Sequence, residues 1–122
     1  MGLDMYLETM DKTSGETTII HSWRKANQIR AWFVNQFDKD PNDQLKIKLT
    51  PETIDNLIFD MTQVLAHQQL ASNLLPTSVG FFFGSTDYDE YYFETLADTV
   101  DYLMHDLEWH TETEDLYYTE WW

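Results

Sequence analysis

The chain is divided by charge at Leu49. All seven lysine and arginine residues precede this position, whereas fifteen of the 22 acidic residues follow it. The other seven acidic residues balance the seven basic ones, so the net charge of −15 belongs entirely to residues 49–122. Self-repulsion of this size opposes a compact state, and its usual benefit is solubility or attraction to a positively charged partner. The second part of the chain must therefore fold without a lysine or arginine of its own.

The composition nevertheless favours a folded protein. Apolar residues make up 43% of the chain and aromatic residues 16%, which is enough for the core of one domain. Disorder would combine high net charge with few aromatic residues. The absence of cysteine excludes disulfide bonds and thiolate zinc sites.

No targeting or membrane segment is predicted. The N-terminus lacks the basic and apolar regions of a signal peptide, and no stretch approaches the ~18 apolar residues of a membrane span. We therefore expect a soluble intracellular protein. Its acidic surface disfavours binding to nucleic acid or to anionic membranes, because both require cationic groups on the protein.

Side-chain alternation predicts four strands. Residues 3–7 alternate with period 2, and residues 17–21 form a second strand after a turn-rich segment. Residues 45–49 alternate again, as Leu-Lys-Ile-Lys-Leu. A fourth, short strand is predicted at residues 80–84, where three phenylalanines lie between two glycines.

Helical spacing of apolar residues predicts three helices. The first spans residues 22–37, and the second has Thr50 as its N-cap and Pro51 in its first turn. The third follows several capping residues at 85–89 and ends near Leu107.

The elements follow one another in the order ββαβαβα. The sequence therefore predicts the α+β class, with about three helices on one face of a small antiparallel or mixed sheet. The predicted domain covers residues 1–107. Residues 108–122 show no clear periodicity and are predicted to be an acidic, aromatic tail. Its deletion is expected to cost less stability than truncation of the apolar face of the last helix.

Three segments resemble a family of small phage and prophage proteins. They are Met-Gly-Leu-Asp-Met-Tyr-Leu at residues 1–7, Trp-Arg-Lys-Ala-Asn-Gln-Ile at 23–29 with Trp-Phe-Val at 32–34, and Leu-Leu-Pro-Thr at 74–77 leading into Gly-Phe-Phe-Phe-Gly-Ser-Thr-Asp-Tyr-Asp-Glu at 80–90. The resemblance implies an origin in a mobile element. It implies no activity, because none is established for the family as a whole. Family members end soon after the last helix, so the resemblance does not extend to residues 108–122.

The predicted last helix has an acidic face. At 100° per residue, seven carboxylates fall within about 80° of one another, opposite the apolar side chains, and only His105 interrupts them. Like charges at this spacing destabilise a helix by roughly 0.2–0.5 kcal/mol per pair, and a purely solvated surface usually mixes both signs. The seven residues are Asp87, Glu90, Glu94, Asp98, Asp101, Glu108 and Glu112.

We interpret this face as a mimic of a nucleic-acid backbone, with about one charge per helical turn of ~5.4 Å. The predicted partner is a basic nucleic-acid-binding protein of the host, such as a CRISPR effector or a restriction enzyme. The protein would bind and block this partner in the host cytoplasm, and no catalytic residue, cofactor or metal is predicted. The predicted partner-binding residues, with tryptophans as apolar contacts, are Asp87, Asp89, Glu90, Glu94, Asp98, Asp101, Glu108, Glu112, Glu114, Asp115, Trp121 and Trp122.

Two other interpretations stay open. The charge would also suit an accessory protein that needs only solubility.

Alternatively, a small enzyme or a nucleotide- or metal-binding protein would have its site where Arg24, Lys25 and Asn27 meet residues 85–90. The segment 80–87 has the strand, small-residue loop and helix start that suit a phosphate, but it lacks a P-loop or dinucleotide fingerprint, and the acids that follow would repel an anion. Residues 87–90 also lack EF-hand spacing.

Overall fold

Helices on one face of an antiparallel sheet form the body of the protein. The computed structural model describes residues 2–80 and 83–122. In chain order the elements are β1 (Asp4–Asp11), β2 (Thr17–Arg24), α1 (Asn27–Gln36), β3 (Lys46–Leu49), α2 (Pro51–Ala66), α3 (Ala71–Leu74), α4 (Glu90–Asp101) and β4 (Glu114–Trp121). A 3-10 turn at Gln68–Leu70 precedes α3, and a π-helical turn at Tyr102–Asp106 follows α4. The predicted α+β class is confirmed. The predicted order ββαβαβα is wrong, because the fourth strand follows the last helix instead of preceding it.

The sheet is built around β1 and β4. The strand order is β2-β1-β4-β3, and each neighbouring pair is antiparallel. Buried residues alternate along β1 as predicted, and Leu7 lies between His21 of β2 and Tyr118 of β4. The turn between β1 and β2 is stabilised by the Asp11 carboxylate, which accepts a hydrogen bond from the backbone N–H of Thr13 at 2.8 Å.

The predicted C-terminal tail is wrong, because most of it is the strand β4. This strand pairs with β1 on one side and β3 on the other, so it is central to the sheet. Its buried positions are Leu116, Tyr118 and Glu120. A glutamate at a buried position removes the apolar alternation by which a strand is recognised. The domain therefore extends beyond the predicted boundary at residue 107.

The strand predicted at residues 80–84 is not seen where the chain is described. Gly80 and Phe83 lie outside any strand, and Phe81 and Phe82 lie outside the described residues. The ring of Phe83 instead packs edge-on against the ring of Trp122, with the ring centres 5.4 Å apart.

The first helix begins later than predicted. β2 continues to Arg24, and Lys25 then takes a positive φ of 57°, which interrupts the strand and prevents a helix from starting there. The backbone N–H of Lys25 donates to the carbonyl of Leu3 at 2.7 Å, which extends the contact between β1 and β2. Trp23, which fits the apolar spacing of the predicted helix, is therefore a residue of β2. The helix α1 begins at Asn27.

The starts of α2 and α4 follow the predicted capping. Thr50 Oγ1 accepts a hydrogen bond from the Thr53 backbone N–H at 3.2 Å, and Pro51 occupies the first turn of α2. Asp89 accepts one from the Tyr92 backbone N–H at 3.0 Å at the start of α4.

The helices cover the sheet face that contains the core. The Phe33 ring of α1 stacks on Tyr118 of β4 with ring centres 4.3 Å apart. Trp23 of β2 donates from Nε1 to Thr99 Oγ1 of α4 at 2.8 Å, which places α4 over the β2 side of the sheet. Within residues 2–80 and 83–122, no helix is both long and apolar enough to cross a bilayer.

Candidate functional site

The predicted acidic face is a row of exposed carboxylates on α4. The side chains stand about one helical turn, ~5.4 Å, apart, while Leu96 on the opposite side of the helix is buried in the core. In the described part of the chain, the one basic side chain within ion-pair distance of this row is His105, at 3.9 Å from Asp101. We call these four residues the α4 acidic row: Glu90, Glu94, Asp98 and Asp101.

The charges of the row suit the start of the helix but repel one another along it. Glu90 lies in the first turn, where the helix dipole favours a negative charge. Asp98 and Asp101 lie in the interior of the helix, because it continues into the π-helical turn Tyr102–Asp106. Like charges three and four residues apart destabilise a helix, so the row lowers the stability of its own helix.

Four further predicted acids are exposed but do not continue the row. Asp87 and Asp89 lie in the loop before α4, and Glu108 and Glu112 lie between the π-helical turn and β4. The predicted helical face included Asp87, Glu108 and Glu112, and this part of the prediction is wrong because the helix does not contain them.

The two predicted acids of β4 have partners within the protein. Asp115 Oδ1 lies 3.4 Å from Lys48 Nζ and 3.9 Å from Lys12 Nζ. Glu114 accepts a hydrogen bond from the backbone N–H of His110 at 3.0 Å. Both carboxylates are half-buried, so they add less to an external field than those of α4.

The two terminal tryptophans have different environments. Trp121 is 68% exposed, and its register partner is Asp4, on the sheet face opposite the helices. Trp122 is 36% exposed and donates from Nε1 to Glu120 Oε2 at 2.8 Å. The sheet therefore separates Trp121 from the α4 acidic row, and Trp122 is engaged in the fold.

A buried ion pair lies beneath Trp122. The Arg30 side chain of α1 donates from Nε to both carboxylate oxygens of Glu120, at 2.9 and 3.0 Å, and both side chains are almost fully buried. The Tyr118 hydroxyl donates to Glu120 Oε1 at 2.7 Å. Burial, together with the nearby Glu120 charge, raises the pKa of Tyr118, so that hydroxyl stays protonated. Arg30 also donates to the backbone carbonyls of Pro41 and Asp43.

The sequence patterns did not predict this pair, because Glu120 lies in the segment 108–122 that was predicted to be an acidic tail. The available signal was Arg30 itself, which lies between Ile29 and Ala31 in the predicted first helix. A cation at such a position needs a buried acid, because an unpaired buried charge is very costly. Nothing in the sequence indicates which of the 22 acidic residues is that partner.

The structure also brings together the residues of the alternative site. A cleft of about 380 Å³ lies between the β2–α1 junction and the loop before α4. Asn27 joins the two walls, because its Nδ2 donates to the carbonyls of Phe83 and Ser85, each at 2.9 Å, and its Oδ1 accepts from Ser78 N–H at 3.0 Å. We call this the Lys25 cleft, and its lining includes Arg24, Lys25, Gln28, Ser85, Asp87 and Asp89.

Two glycines lie close to the Lys25 side chain. Gly2 and Gly84 both have positive φ angles, of 140° and 86°. A Cβ at Gly2 would lie 3.1 Å from Lys25 Cε, and a Cβ at Gly84 would lie 3.1 Å from Lys25 Cβ. The three segments that resemble the phage family therefore meet around one lysine, whose own backbone is in the left-handed region.

A polar side chain at the base of the cleft lacks a full set of partners. Gln28 is only 4% exposed, and its amide makes one hydrogen bond, from Nε2 to the Tyr92 carbonyl at 3.4 Å. Its Oε1 accepts no hydrogen bond from the described residues. Every fully enclosed side-chain nitrogen or oxygen of these residues does have a partner, so Gln28 Oε1 is open to the cleft.

A neighbouring groove shares Arg24 and Tyr91 with the Lys25 cleft. It has a volume of about 370 Å³ and runs between β2 and α4, past Glu94 and Asp98. His21 lines its far end, where it stacks on Tyr102 with ring centres 4.0 Å apart. Burial lowers the pKa of His21, which favours its neutral form.

The described residues bring no three histidine or carboxylate side chains together in a group that would hold a metal ion. Comparisons with protein-family models, with curated proteins and with solved structures found no match to this chain.

Proposed function

We propose that the protein is a phage-derived inhibitor that uses the α4 acidic row to bind and block a basic nucleic-acid-binding protein of the host cytoplasm, such as a CRISPR effector or a restriction enzyme. The observation that supports this proposal is the row itself, in which four exposed carboxylates are held on one helix and, among residues 2–80 and 83–122, the ion pair to a basic group is that of Asp101 with His105. An ordered line of negative charge of this kind fits a groove that normally holds a nucleic-acid backbone.

Two features favour an interface over a charge that serves only solubility. The like charges of the row destabilise their own helix, although acids that served only solubility would serve equally well elsewhere on the surface. In addition, Tyr91 is 62% exposed beside the row, and exposed tyrosines are common in protein interfaces. Trp121 and Trp122 are not part of this proposed surface, because the fold places them away from α4.

DNA cleavage by purified restriction enzymes and CRISPR effectors, measured with increasing amounts of the protein, tests the proposal. We expect stoichiometric inhibition that weakens as salt rises, because exposed charges are screened beyond a Debye length of ~10 Å at 0.1 M. Excess DNA should relieve the inhibition by competition. The protein alone should leave the mobility of DNA unchanged in a gel.

A matched pair of variants separates the row from the general charge. The first variant has Glu94→Gln, Asp98→Asn and Asp101→Asn. The control has Glu16→Gln, Glu52→Gln and Asp55→Asn, which removes the same charge from exposed positions outside α4. We expect the first variant to lose inhibition and the control to retain it. Equal loss in both variants, or inhibition that does not change with salt, would contradict a binding role for the row.

A second candidate function is binding of a small ligand in the Lys25 cleft. The observation that favours it is a cleft of ligand size, about 380 Å³, that Lys25, Gly84 and Gln28 line together with Asp87 and Asp89. A thermal shift caused by a nucleotide, a divalent cation or another small molecule tests this function. It is independent of the acidic row, because Glu94, Asp98 and Asp101 do not line this cleft.

A further inference from the structure

We propose that the Lys25 cleft binds a small zwitterionic ligand of the α-amino-acid class, with its carboxylate toward Lys25 and its ammonium group toward Asp87 and Asp89. This inference rests on the second candidate function and names the ligand of that site. It does not depend on the α4 acidic row.

The charges of the cleft disfavour simpler ligands. Lys25 lines it together with Asp87 and Asp89, and Arg24, which also lies 3.9 Å from Asp4, completes the charged lining. A bare anion would be repelled by the two carboxylates, and a bare cation would be repelled by Lys25. A ligand with both charges a few ångströms apart satisfies both signs of charge at once.

Lys25 is available for this role. Among residues 2–80 and 83–122, no carboxylate lies within 4 Å of its ammonium group, although the chain has 22 acidic residues. Its left-handed backbone donates a hydrogen bond to the Leu3 carbonyl, and Gly2 and Gly84 lie close to its side chain. A non-glycine residue in this region costs of order 1 kcal/mol or more, and such strain is concentrated at functional sites.

The two carboxylates of the cleft come from one loop. Asp89 uses one oxygen, Oδ1, to cap α4, so its side chain is held by a hydrogen bond. Ser85 Oγ accepts a hydrogen bond from the Asp87 backbone N–H at 3.0 Å, which stabilises the turn in which Asp87 lies. A loop that is ordered before a ligand arrives lowers the entropic cost of binding.

Gln28 supplies a hydrogen-bond acceptor that the protein does not satisfy. Its side chain is more than nine-tenths buried and lines the cleft, and its Oε1 accepts no hydrogen bond from the described residues. An N–H group of the ligand would donate to this oxygen. The volume of about 380 Å³ lies at the small end of the usual range of ligand sites, which suits an amino acid better than a nucleotide.

The experiment is a thermal-shift screen of the full-length protein with each standard amino acid at millimolar concentration, followed by calorimetric titration of the one with the largest effect. Its N-acetyl derivative, which lacks the ammonium group, and its amide derivative, which lacks the carboxylate, are titrated in parallel. We expect each derivative to bind about tenfold more weakly or worse, because the amide derivative cannot pair with Lys25 and the N-acetyl derivative cannot pair with Asp87 and Asp89.

Protein variants locate the site. Lys25→Met and Asp87→Asn should each abolish measurable binding, while the controls Lys39→Met and Asp106→Asn, which change exposed charges outside the cleft, should bind as the wild type does. Asp87 is exposed and caps no helix, so its variant tests the site even if Lys25→Met fails to fold. Amide chemical shifts that change near residues 24–28 and 84–89 would support the proposal.

Two results would overturn the inference. One is equal binding of the amino acid and its singly charged derivatives, and the other is the absence of a saturable shift with any amino acid. If a nucleotide then shifts the same amide signals, the second candidate function stands and only the ligand class is wrong. If no tested small molecule binds the cleft, that function fails as well, and the inhibition assays on the α4 acidic row are unaffected.

Discussion

The segments α4 and β4 have similar compositions but opposite roles for their acidic side chains. Both lie in the part of the chain that has no lysine or arginine, and both mix carboxylates with aromatic rings. The four acids of the α4 acidic row face solvent. In β4, Glu120 is buried against Arg30, and Asp115 lies between Lys12 and Lys48.

The difference comes from the neighbours that the sheet provides. All the basic residues precede Leu49, and the antiparallel pairing of β4 with β1 and β3 brings several of them to β4. Beside α4, β2 contributes one arginine, Arg24, which lines a groove with Glu94 and Asp98. The negative charge of the C-terminal part is therefore paired at β4 and mostly exposed to solvent on α4.

The largest expected effect is that of deleting residues 114–122. Their loss removes a central strand, the acceptor for Arg30 and the ring that stacks on Phe33. We expect a truncated protein without a cooperative unfolding transition, measured by circular dichroism and urea denaturation. Trp121→Ala, which changes an exposed ring on the open sheet face, should remain folded. A truncated protein that unfolds cooperatively would contradict the central position of β4.

Removal of one partner of the buried ion pair should have the next largest effect. Arg30→Met leaves Glu120 buried without its cation, which typically costs about 3–5 kcal/mol. The free energy of unfolding from urea titration measures the loss. As a control on the same strand, Glu114→Gln should change it by about 0.5 kcal/mol or less, because Glu114 is half-buried and makes only local bonds. Similar losses in the two variants would show that the buried ion pair contributes no more to stability than the partly exposed carboxylate of Glu114.

Charge reversal on β4 should be mildly destabilising. Asp115→Lys replaces two attractions, to Lys48 and Lys12, with repulsions between like charges. We expect a loss of about 1 kcal/mol that becomes smaller at high salt, because surface ion pairs contribute about 0–1 kcal/mol and are screened. Urea denaturation at low and high salt measures both quantities. A variant that is more stable than the wild type would contradict this interpretation.

Charge reversal on α4 should have the smallest effect and the opposite sign. Asp98→Lys places a cation four residues after Glu94 and three before Asp101, which replaces repulsion between like charges with attraction. We expect a gain of about 0.5 kcal/mol from the new pairs with Glu94 and Asp101. The same denaturation assay checks it. Destabilisation by Asp98→Lys would mean that the row has an unrecognised partner within the protein.

The sequence predicted the parts of the fold that depend on local patterns. Alternation along residues 3–7 identified β1, and the Thr50-Pro51 signal identified the start of α2, because capping and side-chain periodicity are properties of a few neighbouring residues. The α+β class and the exposed acids of α4 followed from the same patterns. The prediction failed at Lys25, where a positive φ ended β2, and at β4, where Glu120 concealed the apolar alternation.

The sequence by itself determined that the negative charge lies beyond Leu49 and that one helix presents a row of it to solvent. Only the tertiary structure decided which acids are paired, because Glu120 and Arg30 are far apart in the chain and meet through the pairing of β4 beside β1. It also decided that Lys25, Gln28 and Asp87 share a cleft. Such contacts arise from the relative placement of elements, and that placement depends on packing across the whole core, which no local pattern records.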